Sequence, residues 1–133
     1  MREDKTIEQL KNELVYLKKE HNASFKIEIY KPFFIGEIGY HDYGYELFNS
    51  VKINKVNNFI NEFKKVINNK NLIALLENET GHLDLRVMYT TPKRKNIYKK
   101  EYVYENLAYM TYCDFNEINV FTFFNYNYDL EKY

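Results

Sequence analysis

Two hydrophobic periods run through this chain. Between residues 6 and 20, Ile7, Leu10, Leu14 and Leu17 recur at three- and four-residue spacing in an otherwise charged segment, which predicts a helix with one narrow apolar stripe. Thr6 followed by Gln9 fits a capping box at its start. Residues 54–69 carry a fuller helical face of Val56, Phe59, Ile60, Phe63, Val66 and Ile67, with Lys55, Asn58, Glu62, Lys64, Lys65 and Asn68 off it. Between these segments the period is two. Phe25, Ile27 and Ile29 alternate with Lys26, Glu28 and Tyr30, the pattern of a half-buried strand over 24–31. Pro32 is expected to stop or bend that strand. Phe33, Phe34, Ile35 and Ile38 suggest a second short strand, and Gly36, Gly39 and Gly44 make residues 39–50 read as loop.

After Asn69, Lys70 and Asn71 end the second helix, the apolar run Leu72–Leu76 reads as a buried strand. Leu83, Leu85, Val87 and Tyr89 then alternate with His82, Asp84, Arg86 and Met88. A polar turn at Thr91–Asn96 follows, with Pro92 closing the strand. Tyr- and Phe-rich strands are expected over 97–104, 107–113 and 118–128, with a turn from Asp114 to Glu117. Short connections imply antiparallel neighbours. The expected fold is α+β, one domain over residues 1–133. It has a single antiparallel sheet of about five or six strands, one amphipathic helix across a face, and an N-terminal helix along the sheet edge or in a dimer.

Length and composition agree with one globular domain: 133 residues, 45% hydrophobic and 29% charged. Fourteen Tyr and ten Phe with no Trp point to a core of Phe and Ile with Tyr at its edge, and leave several tyrosines for solvent or a partner. Abundant Lys, Asn, Ile and Tyr reflect an AT-rich genome, a mutational bias, so the asparagine pairs carry no prion-like meaning. One cysteine, Cys113, excludes an internal disulfide, and no secretory leader or long apolar run is visible, so a reducing cytoplasm is expected.

The zero net charge is unevenly spread. Residues 1–49 hold seven basic and nine acidic side chains, residues 50–100 eleven and four, and residues 101–133 one and six. A neutral total argues against a DNA mimic and against a protein devoted to grasping phosphate. Four scattered glycines give no phosphate loop. One Cys with His21, His41 and His82 gives no zinc spacing, so neither cofactor nor metal is expected. His82, Asp84 and Arg86 share a strand face; they read as a solvated row, with an acid/base or metal-binding row as the sharper alternative. Cys113 reads as a small buried hydrophobe.

Two segments stand out as partner-binding candidates. Tyr40, His41, Tyr43 and Tyr45 lie between glycines, and tyrosine brings large contact area at low entropic cost. Lys93, Arg94, Lys95, Lys99 and Lys100 surround Tyr98 at an expected hairpin tip, with Tyr102 and Tyr104 beyond. Charge with interleaved rings suits single-stranded nucleic acid, an acidic protein surface, or plain solvation. The leading expectation is a non-enzymatic protein-binding protein, a small regulator or inhibitor. Many short, motif-poor, AT-rich genes of phage and mobile elements encode such proteins, anti-CRISPR inhibitors of bacterial defence among them. The alternatives are a nucleic-acid-binding module using the 93–104 hairpin, or a small metal-independent nuclease using His41 or His82. The chain is expected to be a monomer, or a homodimer through its N-terminal helix, with no membrane association.

Overall fold

A computed structural model describes residues 3–37, 40–80, 82–96, 98, 101–112 and 118–122. The alternating segments assemble into a six-stranded antiparallel sheet in the order β1-β8-β7-β4-β2-β3, with β5 and β6 forming a separate two-stranded hairpin. The strands are β1 (Glu3–Lys5), β2 (Ser24–Glu37), β3 (Tyr40–Ile53), β4 (Leu83–Thr90), β5 (Lys95–Asn96), β6 (Glu101–Tyr102), β7 (Glu105–Tyr112) and β8 (Ile118–Thr122). The helices are α1 (Ile7–His21), α2 (Phe59–Ile67) and α3 (Lys70–Leu75). The α+β architecture expected from the periodicity is therefore present, with an antiparallel sheet and helices on one face.

The buried positions of the strands are the odd-numbered ones that alternation marked: Phe25, Ile27 and Ile29 on β2, and Leu83, Leu85, Val87 and Tyr89 on β4. They share one core with Leu10, Leu14 and Leu17 of α1 and Phe59, Phe63, Val66 and Ile67 of α2. The rings of Phe59 and Phe63 stack at 5.7 Å. Tyrosine is not confined to the edge of this core. Tyr89 and Tyr112 are fully buried, and the Tyr112 hydroxyl donates to the Ile67 carbonyl at 3.1 Å, which satisfies a polar group at the end of α2.

Helix α1 does not run along the sheet edge. It begins one residue after β1, on one edge, and ends two residues before β2, four inter-strand steps away. Four steps span roughly 19 Å and fifteen helical residues about 22 Å, so the helix lies across the sheet. Its capping box forms as expected, and Asn22 closes it in the left-handed region at φ 51°. The Leu10–Leu14–Leu17 stripe is covered within the chain, so its burial asks for no second copy.

Several boundaries differ from the sequence reading. Residues 40–53 are strand, not loop, and Pro32 does not end β2. The proline is tolerated because β4 pairs with β2 only over Ser24–Tyr30, so Pro32 lies where β3 is the neighbour and no β4 bond is lost. Phe33 and Phe34 continue β2 instead of starting a new strand. Gly44 does not break β3 because it faces Phe33 across the ladder, and the ring occupies the space a side chain would take: a Cβ on Gly44 would come within 2.4 Å of it.

Leu72–Leu76 is helical, not a strand. The Asn69 side chain accepts from the Asn71 N–H at 2.9 Å, a helix N-cap, and Leu72, Leu75 and Leu76 bury at helical spacing. The expected strand over 97–104 reduces to Glu101–Tyr102, paired with β5. Cys113 and the 114–117 turn lie outside the described residues.

Candidate partner-binding surfaces

The three described helices pack on one face of the sheet, and no described helix covers the other. On that face the even-numbered residues of β2 and β4 meet in a connected row. The Lys26 ammonium lies 4.2 Å from the centre of the Tyr104 ring and 3.4 Å from the Glu28 carboxylate. The Tyr30 hydroxyl donates to Glu28 at 3.0 Å. Arg86 then sits between two rings, 4.2 Å from the centre of Tyr30 and 4.6 Å from that of Tyr109. Its Nε is buried without an acceptor, and its guanidinium has no carboxylate within ion-pair distance among the described residues. Cation–π contact holds this charge in place without neutralising it. Burial raises the Asp84 carboxyl above the usual carboxylate range, and the charges of His82 and Arg86 oppose that shift. Burial also raises the Tyr30 hydroxyl, helped by its hydrogen bond to Glu28. The His82–Asp84–Arg86 row is thus half-buried, not a freely solvated face.

Beyond Tyr30, β2 and β3 pair only with each other among the described residues and extend past β4 as a two-stranded arm. Tyr40, His41 and Tyr43 lie on the β3 half of this arm; their side chains are outside the described residues. Tyr45 is exposed at its base, 3.5 Å from His82 through its hydroxyl, the two rings edge-on at 6.3 Å. Phe33, Leu47 and Phe48 are also exposed, Leu47 by 53%.

At the other end of the sheet the 93–104 segment departs from expectation in one respect. Arg94 is only 3% exposed and does not point into solvent. The Arg94 N–H donates to the Thr91 carbonyl at 2.9 Å, closing a tight turn with Pro92 and Lys93 at its tip, and the Val103 N–H donates to the Arg94 carbonyl at 2.8 Å. The side chain therefore folds back, over the Tyr89 ring at 5.1 Å and against the Glu105 carboxylate at 2.8 Å. Arg94 is a structural cation and leaves the list of partner-binding candidates. Lys93, Lys95 and Tyr98 remain exposed, Tyr98 by 92%. Lys99 and Lys100 lie outside the described residues.

The sequence reading missed two features. Arg86 was visible as one of three polar residues on a strand face, but only the register with Tyr30 and Tyr109 reveals its setting. Lys18 and Lys19, which read as the polar side of a helix, end beside the Pro92–Lys93 turn. No three His, Cys, Asp or Glu side chains converge on a metal position among the described residues, and no described helix is long and apolar enough to cross a membrane. No protein-family model, curated protein or solved structure matches the chain.

Proposed function

We propose that this chain is a non-enzymatic protein-binding domain, a small regulator or inhibitor that engages its partner through the β2–β3 arm and the adjoining open face. The observation that carries this reading is the arm itself. A two-stranded ribbon has little stability of its own in water, and this one keeps Phe33 and Tyr45 exposed, with Leu47 and Phe48 exposed at its base. Tyr45 and Leu47, two apart on one strand face, are exposed together beside polar neighbours, as apolar residues of interaction surfaces are. At the foot of the arm, Arg86 between Tyr30 and Tyr109 offers the residue types that dominate interface energetics. With no ion pair among the described residues, Arg86 favours a partner that brings an Asp or Glu side chain to this point.

Site-specific photo-crosslinking tests the reading. A photoreactive residue at Leu47 is expected to trap one defined protein from host lysate, and the same residue at Lys64 on α2 is not. Leu47→Asp and Arg86→Ala are expected to abolish capture of that protein while the thermal melt stays close to wild type. Equal trapping from both positions, or retention of the partner by both variants, rejects the arm as the binding surface.

A further inference from the structure

The open face and the arm leave the opposite end of the sheet without an assigned role, and that end has a distinct chemistry. The C-terminus of α1 and the β4–β5 turn form a cleft of about 630 Å³, beside a second of about 310 Å³ that shares Asn22, Thr91 and Pro92 with it and adds Ser24 at the start of β2. Lys19 and Lys93 line the larger cleft, and Lys18 and Lys95 the smaller. None of these four lysines is ion-paired among the described residues. Among the described residues, Lys18 is hydrogen-bonded only to the neutral Asn22 side chain. His21 adds a polar ring to the larger cleft, and Glu20 is the one carboxylate among the described residues of the two walls. The end of α1 contributes about half a negative charge from its terminal carbonyls, which four lysines outweigh.

Aromatic rings border the same clefts. Tyr16 lines the larger and Tyr102 the smaller, both more than half exposed, and Tyr98 stands almost wholly in solvent on the hairpin between β5 and β6. Burying Arg94 against Glu105 rigidifies the turn and turns Lys93 and Lys95 outward on either side of it. Cations along a concave track with exposed rings at its margin suit a single-stranded nucleic acid: lysines follow the phosphates and rings accept unpaired bases. An acidic protein surface would use the lysines and could use the rings as well, but two adjoining clefts give a concave track that a flexible single strand can follow.

We infer that this cleft is a binding site for the phosphate backbone of single-stranded nucleic acid, with Lys18, Lys19, Lys93 and Lys95 on phosphates and Tyr98 and Tyr102 stacking on bases. The site is separate from the arm, and the inference does not rest on the protein-binding reading.

Fluorescence anisotropy of the full chain with a labelled twenty-nucleotide oligo-dT, titrated across a salt series, tests it. Saturable binding is expected, weakening with salt by roughly 0.7 of a logarithmic unit per phosphate contact. Lys93→Ala with Lys95→Ala is expected to weaken binding by about tenfold or more and to flatten that slope by about one unit or more. Tyr98→Ala is expected to weaken binding several-fold with the slope unchanged, the mark of stacking. Leu47→Asp at the base of the arm leaves oligo-dT binding intact. Lys64→Ala with Lys65→Ala on α2 serves as the control for total charge, and circular dichroism confirms that each variant is folded. No saturable binding at low salt overturns the inference. Equal loss in the α2 control, equal affinity for a duplex of the same length, or tighter binding of a polyglutamate peptide than of oligo-dT does so as well.

Discussion

Arg94 shows how one side chain changes the meaning of a basic run. In sequence it is the centre of Lys93-Arg94-Lys95, yet the turn closed by the Thr91 carbonyl sends it back over Tyr89 toward Glu105. Truncating Arg94 removes a buried side chain packed over Tyr89 and takes the ion-pair partner from the half-buried Glu105. Arg94→Ala is therefore expected to lower the melting temperature clearly, whereas Lys93→Ala with Lys95→Ala leaves it nearly unchanged; differential scanning calorimetry of the two variants separates the roles. Asp84 makes a second case. Its carboxyl titrates above the usual range because burial disfavours the charge, His82 and Arg86 only partly offsetting that. A carboxyl with a raised folded pKa favours folding while protonated, and that advantage fades as pH rises from about 3.9 through the folded value. At neutral pH the ionised group is a burden. Asp84→Asn is expected to melt above wild type at pH 7 and to lose that advantage near pH 3, measured by thermal denaturation at both.

Elements were legible wherever the apolar period was long and uninterrupted. Six apolar residues at helical spacing located α2, and Phe59 and Phe63 are buried in it. Phe63→Ala is expected to destabilise by about 3–5 kcal/mol in a denaturant titration. The β2–β3 arm was not legible, because its glycines read as breaks. A glycine weakens a strand only when nothing covers it, and Phe33 covers Gly44 from the partner strand. Gly44→Ala would displace that ring, since the added carbon meets the ring itself. The expected outcome is a change in partner capture by the arm with little change in global stability, because the arm lies outside the core; the crosslinking yield at Leu47 and a thermal melt report the two quantities. Leu72–Leu76 failed for another reason. A five-residue apolar run fits either element, and the Asn69 cap decided it as helix.

For the molecule as a whole, α1 is the most informative part. A narrow stripe of Ile7, Leu10, Leu14 and Leu17 left open whether the helix packed at home or on a second copy. Crossing the sheet from β1 to β2 buries Leu10 and Leu14 completely. Leu14→Ala is expected to cost about 2–5 kcal/mol at any protein concentration. A destabilisation that grew on dilution would show that the stripe serves an intermolecular contact instead; unfolding curves at several concentrations decide it.

What the sequence determined by itself was the material of each element and its inward face. Alternation and helical spacing are local properties, set by the geometry of a strand or a turn of helix, and they named Phe25, Ile27, Ile29, Phe59, Phe63, Leu83, Leu85 and Val87 correctly as core. It also placed tyrosine and lysine in excess at two segments. What only the tertiary structure decided was company. Strand register brought Arg86 between Tyr30 and Tyr109, chain reversal folded Arg94 inward, and the crossing of α1 carried Lys18 and Lys19 to the Lys93 turn. Those neighbours are far apart in sequence and meet only because burying one shared core fixes how the strands and helices lie against each other.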